Sequence, residues 1–244
     1  MVPRGLALAI VALSSAACGT SAPREVTACG GLRTAAVLPT QCGASLDFTP
    51  INRYQGELAS VQQREDAVVL INGSCTGTLI AAAAGPVVAT AGHCIALGDR
   101  PLIAFNVEAD PDGDPLVTTG TVIERAADPD YALIQLEQLP AVTPTLLTTQ
   151  ATELLAIIQH PRGGPKVIAE GKFLRTCDAM IAYGDLDTLV GSSGAGVLNR
   201  QGYLVAIHSD GDCASDGSGA NRGWSAASIV EASAYLVPAD LADR

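Results

Sequence analysis

Lysine is almost absent from this chain of 244 residues: Lys166 and Lys172 are the only two, against 25 acidic residues, and the formal net charge is −11. Without a basic patch or an arginine cluster, a nucleic-acid partner is not expected. Long apolar runs are missing as well. The longest, Leu6 to Ala17, has twelve residues and includes two serines, short of the roughly eighteen that a membrane-spanning helix needs, which excludes an integral helical membrane protein. None of the seven cysteines forms a Cys-x-x-Cys pair, so a zinc site is not expected. Asp110, Asp112 and Asp114 around Gly113 share part of the spacing of a calcium loop, but Thr121 stands where its closing glutamate would be. They read as a solvated hairpin tip. No nucleotide, haem or metal motif is present, and no cofactor is expected. Charged residues make up only 16% of the chain and hydrophobic ones 48%, which excludes disorder.

What is present begins with a leader. Arg4, the apolar run Leu6 to Leu13 and Ser15-Ala16-Ala17 before Cys18 have the layout of a bacterial export signal. Residues 1–17 read as signal peptide. Small residues before a cysteine resemble a lipobox, with Ser15 where leucine is usual, so Cys18 is the candidate lipidation site and the only route to a membrane. Ordinary cleavage after Ala17 or Ala22 is the alternative. Loss of Arg4 would take the charge from −11 to −12. Export implies an oxidising compartment, in which Cys29, Cys42, Cys75, Cys94, Cys177 and Cys213 read as three disulfides. Pairing of sequence neighbours is the simplest arrangement: Cys29 with Cys42, Cys75 with Cys94, Cys177 with Cys213.

Beyond the leader, residues 18–60 carry Pro23, Pro39 and Pro50 with little periodicity and read as an N-terminal arm, stalk or pro-segment. Short apolar or alternating runs then follow: Ala67 to Ile71, Thr78 to Ala82, Pro86 to Ala91, Leu102 to Val107, Thr118 to Glu124 and Tyr131 to Leu136. Asn72-Gly73, Gly85-Pro86 and Asp112-Gly113 mark turns between them. A second series comprises Leu154 to Gln159, Lys166 to Glu170, Met180 to Tyr183, Gly196 to Asn199 and Tyr203 to Ile207. With 25 glycines and 14 prolines, this predicts an all-β chain of two barrels, over 61–145 and 146–244. Ser228 to Glu231 forms a capping-box pattern, followed by Val230, Ala234 and Val237 at helical spacing, and predicts a short C-terminal helix.

Three motifs carry chemistry. Val87 to Cys94 places His93, one of three histidines, at the end of an apolar strand beside a cysteine. A rigidly held histidine suits a general base near neutral pH. Asp130 stands directly before the apolar strand Tyr131 to Leu136, where a carboxylate costs free energy unless it is hydrogen-bonded; Asp128, in an Asp-Pro turn, competes with it. Gly191-Ser192-Ser193-Gly194 offers Ser193 as nucleophile, with Ser192 as competitor, in a turn whose glycines allow amide hydrogens to converge on one spot. A serine needs a base to remove its proton, and the base needs a carboxylate to hold its tautomer.

The chain order His, Asp, Ser is that of the chymotrypsin-like serine peptidases. Cys75-Thr76-Gly77-Thr78-Leu79-Ile80, Ala89 to Cys94, Asp130 to Leu133 and Gly191 to Gly194 resemble that family over roughly residues 60–226. Asp187-Thr188, Gly191-x-Ser193-Gly194, Ile207-His208 and Ile158-Gln159-His160-Pro161 are most similar to its bacterial glutamyl endopeptidase-like branch. The resemblance implies two six-stranded antiparallel β-barrels with the triad in the cleft between them. It implies an oxyanion hole from the amides of Gly191 and Ser193, a protein or peptide substrate, and a monomer. Two positions depart from the pattern. Ser192 replaces the aspartate that receives a new N-terminus in digestive zymogens, so that switch is absent, and Ala195-Gly196 replaces the usual Gly-Pro or Ser-Pro.

For specificity, the resemblance places Thr188 and His208 on the pocket for the residue before the scissile bond, where a hydroxyl and an imidazole suit a carboxylate. Asp187, six residues before Ser193, is the competing reading, since trypsin-like relatives keep there the acid that binds Arg or Lys. His160 reads as structural. The expected function is an exported serine endopeptidase with an acidic preference. The alternatives are a silent binding module on the same fold and a pro-form awaiting N-terminal trimming.

Overall fold

A computed structural model describes residues 41–243. The signal peptide, Cys18 and Cys29 lie outside the described residues. The described residues form thirteen strands, arranged as two closed antiparallel barrels of six with one strand added to the second. The first barrel comprises β2 (Val68–Ile71), β3 (Cys75–Ile80), β4 (Val87–Thr90), β5 (Leu102–Phe105), β6 (Leu116–Ala127) and β7 (Asp130–Leu136), closed in the order β2-β3-β4-β7-β6-β5. The second comprises β8 (Leu154–Gln159), β9 (Val167–Cys177), β10 (Met180–Gly184), β11 (Gly196–Leu198), β12 (Leu204–Asp210) and β13 (Asn221–Ser225), closed by pairing of β8 with β9. The extra strand, β1 (Thr49–Pro50), pairs with Val167 and Ile168.

The apolar runs are continuous rather than alternating because both faces of these strands are buried. In β7, Ala132 and Ile134 fill the first barrel while Tyr131 and Leu133 face a seam shared by both barrels. In β8, Leu155 and Ile157 fill the second barrel while Ala156 and Ile158 meet the same seam. The arm joins this seam through Ile51, Tyr54, Leu58 and Val61. At about 25 cal/mol per Å² of apolar surface buried, the seam stabilises the barrels as one body.

Three details differ from the sequence expectations. Strand β13 has no apolar period and escapes the reading. The C-terminal helix is α2 (Ala226–Ala232), preceded by α1 (Ala59–Gln62) in the arm. Its N-cap is Ser225, whose side chain accepts the Ser228 amide, while Ser228 Oγ donates to the Ala179 carbonyl; the expected capping box at Ser228 is thereby corrected. Of the disulfides, Cys75–Cys94 forms as expected. Neighbour pairing fails elsewhere, because Cys42 bonds to Cys213, 171 residues away, where the arm crosses the second barrel. Cys177 is also disulfide-bonded, and not to Cys213.

Candidate active site

Strand β4 ends in a 3-10 turn, Gly92–Cys94, that carries His93 out of the first barrel. Disulfide Cys75–Cys94 ties this turn to the start of β3. Asp130, first residue of β7, accepts the His93 amide on Oδ1 at 2.9 Å and bonds ring Nδ1 through Oδ2 at 2.6 Å. A carboxylate only accepts, so Nδ1 carries the proton and Nε2 is left as the base. The Asp130 bond raises the His93 pKa above its ordinary value; burial opposes this, and the charges of Asp130 and Asp210 add to it. Asp128 is exposed in the β6–β7 turn. The structure thus brings Asp130, not Asp128, to the histidine.

Ser193 lies in the turn before β11. Its neighbour Ser192 is buried, its hydroxyl accepting the Leu189 amide and its own amide bonding the Leu189 carbonyl. Ser193 is half-buried, and its hydroxyl has no hydrogen bond among the described residues, to His93 or to any other group. In unliganded enzymes such contacts are commonly long. Two glycines at positive φ shape the turn, Gly191 at 98° and Gly194 at 85°. A Cβ on Gly194 would collide with the Thr90 hydroxyl and the Thr76 carbonyl, and one on Gly191 would sit 2.7 Å from the His160 carbonyl.

Peptide planes around Ser193 are pinned from three sides. The Val190 carbonyl accepts from Arg162 N at 2.5 Å, and the Ser192 carbonyl accepts from Ala195 N at 3.0 Å. In a trans peptide the following N–H points the opposite way. The amides of Gly191 and Ser193 are therefore directed away from those bonds and have no partner among the described residues. A developing oxyanion requires unpaired amides of this kind. From the first barrel, the fully buried Thr76 donates its amide to the Ser193 carbonyl at 3.0 Å and its hydroxyl to the Gly191 carbonyl at 2.8 Å. Thr76 adjoins Cys75, so one short segment braces both the histidine turn and the serine turn. In the sequence, Thr76 stands out only as part of the motif Cys75 to Ile80, with no role of its own, and Arg162 carries no signal.

The residues expected at the specificity pocket divide. Asp187 is buried and turned to the arm: its carboxylate accepts the Cys42 amide at 2.6 Å and the Asp47 amide at 2.5 Å. Thr188 Oγ1 accepts from Asn221 Nδ2 at 3.3 Å. His208 is buried on β12, its Nδ1 2.6 Å from the Tyr183 hydroxyl and its ring also bonded to the Arg222 backbone. Burial, reinforced by the charge of His93, drives the His208 pKa down to about 3. His208 is thus neutral at ordinary pH. His160 is buried too, its Nδ1 donating to the Gly164 carbonyl at 2.9 Å, and burial lowers its pKa to about 4. It supports the Gly191 turn.

Twin closed barrels, with a histidine–aspartate pair on the first and a glycine-flanked serine on the second, have the architecture of the chymotrypsin-like serine peptidases. Residues 75–207 match the family described as "Trypsin-like peptidase domain", and the chain belongs to that family. No curated protein matches the chain significantly. Among solved structures, the inactive form of a serine-to-alanine mutant of Rv3671c from M. tuberculosis H37Rv is similar at 17% identity and TM-score 0.54, over 71% of this chain and 88% of that one. A serine endoprotease from Yersinia pestis is similar at 16% identity and TM-score 0.57, over 73% of this chain and 65% of that one. These likenesses carry the fold.

Proposed function

We propose that the protein is an exported serine endopeptidase in which Ser193 attacks the scissile carbonyl, His93 takes its proton, Asp130 holds the His93 tautomer, and the amides of Gly191 and Ser193 receive the oxyanion. The observation that carries this reading is the two-point grip of Asp130 on His93, facing a serine turn with two unpaired amides. The disulfides support an oxidising compartment. Attack forms the Ser193 acyl ester as the proton passes through His93 Nε2 to the leaving amine; water, activated by the same nitrogen, then releases the acid.

For the residue before the scissile bond we propose an acidic preference. Asp187, the competing acid, is not free to receive Arg or Lys, since both its oxygens are occupied by the arm. Thr188 and the neutral His208 are the polar side chains on the walls of that pocket, and a hydroxyl and an imidazole suit a carboxylate. The test is to incubate the mature protein and its Ser193→Ala variant with a denatured protein and map new termini by mass spectrometry. Cuts made only by the wild type, after Glu or Asp, are expected. Cuts after Arg or Lys would overturn the acidic preference, and cutting by neither protein would favour the silent binding module.

Because His93 acts neutral and its pKa is raised, the acid limb of kcat/KM is expected to have its midpoint above 6.5. Lowering the pH through that value protonates the base and removes activity. A pH–rate profile whose acid limb lies below 6 would contradict the Asp130–His93 assignment.

A further inference from the structure

The carboxylate of Asp187 does not face a substrate, yet it lies six residues before the proposed nucleophile and on the segment that carries Thr188. Its two oxygens each accept one arm amide, from Cys42 and Asp47, while its own carbonyl accepts from Gln159 Nε2 at 2.8 Å. Of these two arm residues, Cys42 is also covalently joined to Cys213, on the loop between β12 and β13. Beside this disulfide, Gly43 N donates to the Ala214 carbonyl at 3.1 Å. Asn221, at the start of β13, donates to the Leu186 carbonyl at 2.7 Å and to Thr188 Oγ1 at 3.3 Å, and accepts the Asp212 amide at 3.2 Å. The walls carrying Thr188 and His208 are thus tied together from behind by residues 42–47.

We propose that Asp187 is a positioning residue and that Cys42 to Asp47 form a permanent clasp that sets the pocket walls at their working separation. Ser192 leaves the position before the nucleophile without the carboxylate that would fix this region through a new N-terminus; Asp187 supplies a carboxylate instead and receives internal amides. The described part of the arm is then retained in the active protein. Its apolar residues agree with this, since Ile51, Tyr54, Leu58 and Val61 are all buried in the seam. Two buried amides bonded to an ionised carboxylate are a strong and directional restraint.

The clasp acts on substrate binding more than on turnover, because the serine turn is braced separately from the first barrel by Thr76, whose amide holds the Ser193 carbonyl and whose hydroxyl holds the Gly191 carbonyl. This inference rests on the proposed peptidase activity, so one of its readouts is independent of that activity. In Asp187→Asn the amide group presents a donor to one of the two arm amides and breaks that bond. Hydrogen exchange of the oxidised protein should then accelerate at least tenfold at Leu186–Val190 and at Cys42–Asp47, with the β7 amides unchanged. In kinetics, kcat/KM should fall on the order of 10²-fold, carried by KM, and equally for every residue placed before the scissile bond. Cys42→Ala with Cys213→Ala, which leaves Asp187 in place, should move both readouts in the same direction by a smaller factor. Unchanged exchange in both variants would overturn the clasp, as would a changed residue preference at constant KM for the other substrates. If the wild type fails to cleave while the exchange result appears, the peptidase reading fails and the clasp stands.

Discussion

Replacing Ser193 by alanine is expected to lower kcat by a factor on the order of 10⁶, with little change in KM. The alanine protein keeps the turn, since the bonds that shape it run through main-chain atoms: Ser193 O to Thr76 N, Gly194 N to His208 O, and Ser192 O to Ala195 N. What is lost is the acyl-enzyme route, leaving only the two amides and substrate binding. His93→Ala should cost a similar factor, because a nucleophile without its base is as poor as a base without its nucleophile, and the double variant should cost little more. Asp130→Asn should cost about 10⁴-fold. There the asparagine can offer an N–H to Nδ1, which would place the imidazole proton on Nε2 and block proton abstraction. Ser192→Ala gives the contrast. Its hydroxyl is spent on the Leu189 amide inside the loop, so this variant should retain most of its turnover and lose stability by about 1 kcal/mol. A Ser193→Ala protein within tenfold of wild type, with Ser192→Ala inactive, would exchange the two assignments.

Legibility in the sequence tracked how local each feature is. His93, Asp130 and Ser193 each sit in a short motif whose neighbours explain the residue, and the structure brings His93 and Asp130 into contact 37 positions apart. Strands such as β8 show themselves because both faces are apolar. Strand β13 does not, since Asn221 and Arg222 are polar yet buried by bonds to distant groups. Sequence proximity also predicted Cys75–Cys94, whose loop is short, and could not find Cys42–Cys213, which exists because the arm wraps the far side of the second barrel. Asp187 failed for the same reason. Its position relative to Ser193 suggests a pocket acid, and only the distant amides of Cys42 and Asp47 show that the carboxylate is already satisfied.

The second large effect is expected at Lys166, which is fully buried where the arm and the two barrels meet. Its ammonium donates to the carboxylate of Glu65, to the Glu65 carbonyl at 2.8 Å and to Glu108 Oε1 at 2.8 Å, while Glu108 Oε2 accepts from Asn52 Nδ2 at 2.7 Å. Two carboxyl groups share one cation, and burial resolves the excess by pushing the Glu65 pKa up to about 8. For Glu108, burial works upward too, but the bonds from Lys166, Glu65 and Asn52 outweigh it and hold its pKa below the ordinary value. At neutral pH Glu108 is therefore a carboxylate and Glu65 keeps its proton, both bonded to Lys166. Lys166→Met leaves Glu108 without its cation in a low-dielectric site and should cost about 3–5 kcal/mol, read as a fall in the urea midpoint at unchanged m-value with the disulfides intact. Adding Glu108→Gln removes the stranded charge and should recover most of that loss, whereas a merely volumetric role for the lysine stem would leave the double variant as unstable as the single. The cluster also sets a pH dependence. Because folded Glu65 holds its proton up to about pH 8 while the unfolded chain releases it near 4.5, this group's contribution to stability declines as the pH rises through that window. Wild-type stability should show the decline and Glu65→Gln should lack it; parallel curves for the two proteins would refute the charge assignment.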